Sequence, residues 1–310
     1  MPEFPQPATV IGLDVGGTKI AGGVVSLPEG VVLVQHTIPT LASRGGEVVL
    51  EDVERLAERL AAEAVAMRRT VHAVGVGLCE LISPRGDILS ANCVDWMKLP
   101  VRARLATIAP TTLEADVRAA ARAEAIFGAG RPFRQFLYIT VGTGIASCLV
   151  LDGNPFTGAR GATGTMASSP VSFPCERCGQ TNRRTLEQLA AGPALVSRYN
   201  ESLPGAAQSG HDVLAAATAG DNAAIFVTRS AGDALASTVG LLVNVLDPEA
   251  VIVGGGLGLS EGPFWDEFMA ATQRYIWSEV HRGLPILRAG TGTNAGVIGA
   301  AAAAWDFKAC

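Results

Sequence analysis

Two glycine-rich turns carry the residues best suited to chemistry, one from Asp14 to Lys19 (Asp-Val-Gly-Gly-Thr-Lys) and one from Gly142 to Gly144 (Gly-Thr-Gly). Each turn lies between two apolar runs of β-strand type. Glycine lets backbone N–H groups approach phosphate oxygens, and threonine adds a small hydroxyl donor. The repeated strand–turn–strand unit therefore predicts that one polyphosphate is bound from two sides. Ordinary hairpins with tight turns explain either turn taken alone.

The first turn is not a P-loop, because that motif places Gly-Lys-Ser/Thr ahead of a helix and this turn leads into a strand. Asp14 has the chemistry to hold hydrated Mg²⁺, which prefers one or two carboxylates plus phosphate oxygens. Lys19 either neutralises phosphate charge or lies on an exposed strand edge. The sequence favours neither alternative for Lys19.

Three further segments carry candidate chemistry. The run Gly254-Gly255-Gly256 follows an apolar strand. Its bare backbone would allow a flat base or ribose to pack on it, and a simple strand-to-helix turn is the alternative interpretation. Asp116 opens a predicted helix, as its N-cap, as a general base that takes a proton from an acceptor hydroxyl, or in both roles at once. Cys175 and Cys178 resemble half of a tetrahedral zinc site, but no second ligand pair follows, which favours a metal-free pair.

Composition narrows the class of protein. The chain has 310 residues, 48% hydrophobic and 5% aromatic, with a mean hydropathy of +0.31. Such a chain can bury a large core of Ala, Val and Leu, which favours α/β layers over a β-sandwich. The net charge is −5 and no long basic run exists, so we expect no nucleic-acid partner.

The sequence also predicts a compartment. The most apolar stretch, 239–256, is interrupted by polar residues, so we expect no membrane association. No charged segment followed by an apolar one opens the chain, as a signal peptide would require. The six cysteines are scattered, which is typical of a reducing cytoplasm.

The elements that must position these residues follow from periodicity. We expect an opening antiparallel meander, a helix over Glu47–Arg69, a buried strand over Val71–Leu78 and a helix over Asp116–Phe127. Gly75 and Gly77 in the buried strand permit close backbone approach, with a ligand as one candidate partner. The second half predicts strands at 135–141, 145–151, 250–253 and 285–289, helices at 185–199, 211–218, 222–246 and 263–281, an irregular loop at 153–184, and a final helix from 295.

Both halves thus begin with a hairpin around a phosphate-type turn and continue into α/β. This pattern predicts a duplicated domain with the ligand in the cleft between the copies. The expected boundaries are 1–114 for an N-terminal α/β domain, rejoined by a C-terminal helix at 295–310, and 115–294 for a larger C-terminal domain.

In this order, the motifs resemble those of the ROK family, bacterial relatives of the hexokinase–actin ATPase fold. The resemblance covers nearly the whole chain. The turn from Asp14 to Lys19 matches the first phosphate motif and Gly142–Gly144 the second. Glu114-Ala115-Asp116 with Ala119-Ala120 matches a Glu-Asn-Asp-Ala-Asn-Ala-Ala segment, and the run ending in Gly254–Gly256 looks like the adenosine motif.

The resemblance implies an α/β fold of duplicated ribonuclease-H-like ATPase domains, with Asp116 as catalytic base and ATP with Mg²⁺ as cofactors. Asn92, Ala115, Asp116 and Glu187 would lie on the sugar side. The implied nucleotide contacts are Asp14, Gly16, Gly17, Thr18, Lys19, Gly142, Thr143, Gly144, Gly255 and Gly256.

The departures from the family pattern concentrate on the sugar side. Its Gly-Glu-Ile-Gly-His stretch reads Gly-Thr-Met-Ala-Ser here, so that Thr165 replaces a sugar-binding Glu and Ser168 replaces a His that binds sugar or zinc. Ala115 and Arg118 replace two asparagines. Only Cys175 and Cys178 remain of the cysteine motif, so the family zinc is not supported by the residues present.

We therefore expect an ATP-dependent kinase for the primary hydroxyl of a sugar or a sugar-like cyclitol or aminocyclitol, acting as a homodimer. An ordinary glucokinase-type enzyme and a non-catalytic sugar-binding protein are the alternatives. A ROK repressor is disfavoured, since the first phosphate motif begins at Asp14 and leaves no room for a helix-turn-helix.

Overall fold

The computed structural model describes residues 7–174 and 181–305, so the predicted zinc pair Cys175 and Cys178 lies outside the described residues. The fold is α/β with two five-stranded sheets. The strands are β1 (Ala8–Val15), β2 (Lys19–Leu27), β3 (Val31–Pro39), β4 (Val71–Leu78), β5 (Thr111–Ala115), β6 (Gln135–Val141), β7 (Ile145–Leu151), β8 (Asn154–Pro155), β9 (Pro170–Pro174), β10 (Thr181–Thr185), β11 (Ala250–Gly254) and β12 (Ile286–Arg288). The helices are α1 (Gly46–Ala66), α2 (Val101–Leu105), α3 (Asp116–Phe127), α4 (Glu187–Ala190), α5 (Gly192–Asn200), α6 (Gly210–Thr218), α7 (Asn222–Leu246), α8 (Pro263–Tyr275) and α9 (Ala295–Ala304).

The two sheets repeat one topology. The first has the order β3-β2-β1-β4-β5, with β1 to β3 as the predicted antiparallel meander and with β4 and β5 parallel to β1. The second has the order β8-β7-β6-β11-β12, in which β11 lies parallel to both β6 and β12. In both sheets, the strand that comes first in the chain (β1 or β6) is central, and the last two strands in the chain (β4 and β5, or β11 and β12) lie on one side of it. The duplication predicted from the two turns is confirmed.

The apolar stripe of α1 explains why this segment is a helix. Val49, Val53, Leu56 and Leu60 are buried at helical spacing and pack in the core of the first sheet. The helix ends at Ala66, earlier than expected, because Arg68 has a left-handed backbone with φ 58°.

Several boundaries in the second half differ from the sequence prediction. The helix expected over 185–199 is two helices, since Ala191 is extended and Pro193 lies in the first turn of a new one, where its missing N–H is tolerated. The loop expected over 153–184 contains three short strands, and the helix expected over 263–281 ends at Tyr275. Among the described residues, no helix has both the length and the apolar character to cross a bilayer.

Helix α9 packs on β1 and β4 through glycines. A Cβ added at Gly75 would lie 1.8 Å from the carbonyl oxygen of Ala300, and one at Gly12 would lie 2.0 Å from that of Val297. The close backbone approach expected at Gly75 is therefore confirmed, and the partner is the backbone of α9 rather than a ligand.

The chain forms two compact units, one of residues 1–134, 148–163 and 290–310, the other of 135–147 and 164–289. The boundary expected after residue 114 falls inside the first unit, which includes α3. Buried Glu124 in α3 explains this grouping, because its carboxylate accepts the N–H groups of Gly290 (2.9 Å), Thr291 (2.8 Å) and Ala129 (2.8 Å).

The Gly75→Ala variant tests this packing. The added methyl group meets backbone rather than a movable side chain, so we expect a loss of about 3 kcal/mol or more in the free energy of unfolding. Gly77→Ala is the matched control on the same strand, because its Cβ would lie 3.5 Å from that of Ala119, an ordinary contact. Equal urea midpoints for the two variants would contradict this account.

Candidate active site

Asp116 is the first residue of α3 and follows directly on β5. It is not the N-cap, as one sequence alternative had it: Ala115 occupies that position, and Oδ1 of Asp116 accepts the N–H of Val117 at 2.6 Å. Burial raises the pKa of Asp116 to about 7, and the nearby charge of Asp14 adds to the rise. Such a carboxyl can exchange its proton near neutral pH, as a general base must.

Asp14 is the penultimate residue of β1 and lies against the start of α9. A Cβ at Gly296, in the first turn of α9, would lie 2.3 Å from an Asp14 carboxylate oxygen. Burial raises the pKa of Asp14 to about 6, and Lys19 opposes that rise. Two nearby carboxylates whose burial disfavours their charge form a region that a divalent cation would stabilise.

Hydrogen bonds from the backbone and from Thr40 hold the first turn in a fixed shape. The N–H of Gly16 donates to the carbonyl of Lys19 at 3.0 Å and closes the turn. Thr40, fully buried, donates its hydroxyl to the carbonyl of Gly16 (2.6 Å) and its N–H to that of Thr18 (3.0 Å). Gly17, Thr18 and Lys19 are exposed above this support. The turn therefore presents main chain and a hydroxyl to solvent in a fixed shape.

The second turn has a comparable support within its own unit. The N–H of Gly142 donates to the carbonyl of Gly144 (2.9 Å), and the N–H of Gly192 at the start of α5 donates to the carbonyl of Gly142 (2.8 Å). Thr143 is exposed at the tip. A turn of this kind next to a helix start is suited to phosphate binding.

The glycine run after β11 lies against the second turn. Gly255 has φ +81°, and a Cβ there would lie 2.4 Å from the carbonyl oxygen of Val141, so only glycine fits. The position of a Cβ on Gly142 lies 3.8 Å from the nitrogen of Gly256, which is exposed. His211 is the nearest side chain to Gly256, with Nε2 3.5 Å from the corresponding Cβ position. Bare backbone here fits a flat ring followed by phosphates.

The residues of the second unit that were predicted to contact substrate lie on adjoining elements. Glu187 opens α4, and its carboxylate accepts the N–H of Ile145, just past the second turn, at 2.9 Å. Thr165 and Ser168 are exposed on one short turn, in which the Ser168 hydroxyl donates to the Thr165 carbonyl at 3.0 Å. That turn adjoins α4, because the N–H of Leu186 donates to the carbonyl of Ser169.

Asn92 is positioned by Glu80, a residue that sequence reasoning missed. The buried carboxylate of Glu80 accepts the N–H groups of Asn92 (2.8 Å), Cys93 (2.7 Å) and Val94 (3.0 Å) and the hydroxyl of Ser90. All four donors belong to one irregular loop. After burial and Asp14, the charge of Glu80 also raises the pKa of Asp116. The loop and the candidate base therefore lie in the same part of the first unit.

Two departures from the family pattern have structural roles. Ala115 is buried in the core of the first unit, so its methyl group packs there. Arg118 is also buried; it pairs with Glu114 at 2.6 Å and donates to the carbonyls of Ile82 (2.7 Å) and Gly161 (3.1 Å). Arg118 thus ties two loops to α3.

Sequence reasoning could have singled out Glu80 but not Thr40. A carboxylate directly after an apolar strand is unusual and is a usable signal. Thr40 follows Ile38-Pro39 with no motif around it, and only the tertiary structure places its hydroxyl under the first turn.

The chain is similar to known proteins over nearly its whole length. A family model described as ROK family matches residues 10–306. The chain is 29% identical to a glucokinase of Streptomyces coelicolor, over 94% of this chain and 96% of that protein, and 28% identical to an N-acetylmannosamine kinase of Vibrio cholerae, over 81% and 85%. A solved ROK family glucokinase from Streptomyces griseus, in complex with glucose and AMPPNP, superposes with a TM-score of 0.82 at 28% identity, covering 96% of this chain and 99% of that one.

Thr40→Val tests the support of the first turn. The variant keeps the shape of the side chain but removes the hydroxyl that the Gly16 carbonyl accepts, so we expect about 1–2 kcal/mol less stability and a higher KM for ATP. Thr37→Val, an exposed position on β3, is the matched control. An unchanged KM for ATP in Thr40→Val would contradict the assigned role.

Glu80→Gln tests the support of the Asn92 loop. An amide nitrogen cannot accept hydrogen bonds, so some of the loop N–H groups lose their acceptor, at about 1–3 kcal/mol. We expect KM for the phosphate acceptor to rise more than KM for ATP. Exposed Glu58→Gln on α1 is the control. A pure loss of stability with both KM values unchanged would show that Glu80 does not position the loop for binding.

Proposed function

We propose that this chain, which belongs to the ROK family, transfers the γ-phosphate of ATP to the primary hydroxyl of a sugar or of a sugar-like cyclitol or aminocyclitol. Its relatives are sugar kinases by name, which supports a phosphotransferase with an alcohol acceptor. The cyclitol or aminocyclitol acceptor goes beyond what those names state and is argued below from this chain's own residues.

One observation carries the proposal: Asp116 keeps a half-buried carboxylate with a pKa raised to about 7, near Asp14 and its phosphate-type turn. An attacking hydroxyl needs a carboxylate within hydrogen-bond reach to take its proton. A protein that only binds sugar has no need of such a group. Retention of Asp116 therefore supports catalysis over a non-catalytic role.

Each unit, taken by itself, offers chemistry suited to part of a nucleotide. In the first unit, the exposed turn of Gly17, Thr18 and Lys19 presents main chain and a small hydroxyl side chain to solvent, which is the chemistry that suits phosphate oxygens. In the second unit, Thr143 offers the same chemistry, and Gly255 and Gly256 leave bare backbone for adenosine. Asp14 is the residue that would hold Mg²⁺, and the ion would neutralise phosphate charge during transfer.

The acceptor side supports an altered substrate. Where the family has a Glu and a His toward the anomeric end of the sugar, this chain has the small, exposed Thr165 and Ser168. Glu187 and Asn92 remain in supported positions. A sugar whose anomeric hydroxyl lost its partners would bind more weakly, by about 1–3 kcal/mol for each unpaired polar group. A carbocycle has no anomeric centre and avoids that loss.

A panel of acceptors tests the proposal. The full chain is assayed for ADP release with Mg²⁺–ATP and glucose, N-acetylmannosamine, amino sugars, or C7-cyclitols and aminocyclitols with a primary hydroxyl. We expect turnover, with the highest kcat/KM on a carbocycle. A higher kcat/KM on glucose than on every cyclitol would overturn the cyclitol assignment alone. Absence of ATP and ADP binding in calorimetry would overturn the kinase.

The raised pKa of Asp116 predicts a pH profile. The base must be deprotonated, so kcat/KM should rise as pH increases through about 7. The free energy of unfolding should change in the opposite direction, because the pKa of Asp116 in the folded state lies above its unfolded value of 3.8. The stability that this carboxyl contributes is complete below pH 3.8 and is lost as pH rises through about 7. Initial rates and urea midpoints across this range measure both trends.

Asp116→Asn separates catalysis from folding. We expect turnover to fall about 10²- to 10⁴-fold while ADP still binds. We also expect the loss of stability with rising pH that is assigned to Asp116 to disappear. Asp152→Asn, an exposed carboxylate paired with Arg134, is the control. Full activity in Asp116→Asn would remove Asp116 as the base.

We also propose that the chain forms a homodimer. Trp277 and Val280 are 86% and 87% exposed, and Leu241 and Val245 of α7, in the same unit, are exposed as well. The N–H of Trp277 donates to Oδ1 of Asn244 in α7, so these apolar side chains lie on adjoining segments, and a contiguous exposed apolar patch marks an interaction site. Light scattering gives the mass of the assembly, and a monomer over the full working concentration range would refute this part.

A further inference from the structure

Two cysteine side chains that the proposed kinase reaction does not use lie together beside Glu80 in the first unit. Cys79 and Glu80 directly follow β4, and Cys93 lies on the loop that carries Asn92. The two sulfur atoms and a carboxylate oxygen are all within 4.8 Å of one another. Cys79 is half-buried and Cys93 is exposed, so the cluster is open to solvent on one side.

The backbone fixes this cluster before any ion binds. The N–H of Cys79 donates to the carbonyl of Val15 at 3.1 Å, beside the first phosphate turn. Glu80 accepts the N–H of Cys93 at 2.7 Å, and the two thiols hydrogen-bond to each other. Zn–S bonds of about 2.3 Å place two sulfurs about 3.8 Å apart in a tetrahedral site, so a small rotation of exposed Cys93 suffices.

The charge around the sulfurs favours a cation. The groups that act on Cys79 are Cys93, Asp116 and Glu80, each of which can carry negative charge. A cation held between the two sulfurs would offset the negative charge that these neighbouring groups carry.

We propose that Cys79 and Cys93 bind one soft divalent cation of the zinc and cadmium type through their sulfur atoms, and that the bound ion inhibits the kinase. Binding releases the two thiol protons to water and forms two metal–sulfur bonds. Both oxygens of Glu80 already accept two donors each, so Glu80 holds the loop, and water completes the coordination.

Inhibition follows from position and rests on the proposed function. The Cβ position of Gly17, in the first phosphate turn, lies 3.5 Å from the sulfur of Cys93. An ion on that sulfur would therefore lie beside the first phosphate turn, on the loop that carries Asn92, and would bring its positive charge to the cysteines on which Asp116 acts. A displacement of about 1 Å at a reacting centre is enough to lower turnover about 100-fold.

Cadmium binding tests the site without reference to activity. The full chain carries Cys175→Ser, Cys178→Ser and Cys310→Ser, which removes the cysteines outside the described residues, and is kept reduced with a phosphine. Cd²⁺ is titrated while the thiolate-to-cadmium charge-transfer band is followed, with stoichiometry from equilibrium dialysis. We expect one Cd²⁺ per chain, lost on adding Cys93→Ser and kept on adding Cys148→Ser, since Cys148 is buried in β7.

Absence of saturable binding, or binding that survives Cys93→Ser, would overturn the site. A Cys79–Cys93 disulfide that persists under the phosphine would overturn it as well. Exposed Cys93 is the primary variant because its substitution leaves the buried core intact.

The inhibition is measured separately on the best acceptor. We expect saturating Cd²⁺ to lower turnover about 10- to 100-fold and a chelator to restore it. In the Cys93→Ser background, we expect turnover with Cd²⁺ to approach turnover without it. Binding without inhibition would leave the site in place and refute the inhibitory role. If the chain phosphorylates none of the acceptors, the charge-transfer titration still decides the site, so the two failures are distinguishable.

Discussion

Close packing of α9 on β1 and β4 is the constraint on which the first unit depends. The helix can approach only because Gly12 and Gly75 have no side chains where its carbonyl groups lie. This approach also sets the electrostatics of the site, since it brings the first turn of α9 to the carboxylate of Asp14. Burial then raises the pKa of Asp14 to about 6 and that of Asp116 to about 7, and the charge of Asp14 adds to the second rise. The residues that pack the fold and those that prepare the chemistry are thus linked.

Irregular segments around the site are held by buried polar side chains. Thr40 supports the first turn, Glu80 the loop of Asn92, and Glu124 the segment that leads into α9. In each case one side chain accepts or donates the hydrogen bonds that a strand or helix would otherwise provide. Loops held in this way keep a fixed shape without regular structure, and ligand-binding residues require such loops.

The departures from the family pattern differ in physical meaning. Arg118 is part of the scaffold, with its guanidinium bonded to Glu114 and to two loop carbonyls, so its presence carries no information on the acceptor. Thr165 and Ser168 are different, because they remain exposed beside the element that carries Glu187. Only this second kind of departure bears on substrate choice, and it leads to the proposal of an acceptor without an anomeric centre.

The sequence alone determined the features that depend on local periodicity and local backbone chemistry. The apolar stripe of α1, the meander of β1 to β3 and the two glycine turns were predicted because each depends on residues close together in the chain. The fold class followed from the order of those motifs. Asp14, Asp116 and Glu187 were candidates by residue type and position, and their catalytic and binding roles stay predictions.

Only the tertiary structure decided which distant residues share a hydrogen bond or a charge. Gly75 faces a helix rather than a ligand, Arg118 is structural, and Cys79 and Cys93 come within reach of each other. Thr40 lies under a turn that is more than twenty positions away. These contacts join segments that are separate in the chain, and no local pattern records them, because a side chain's partners are set by how strands and helices pack.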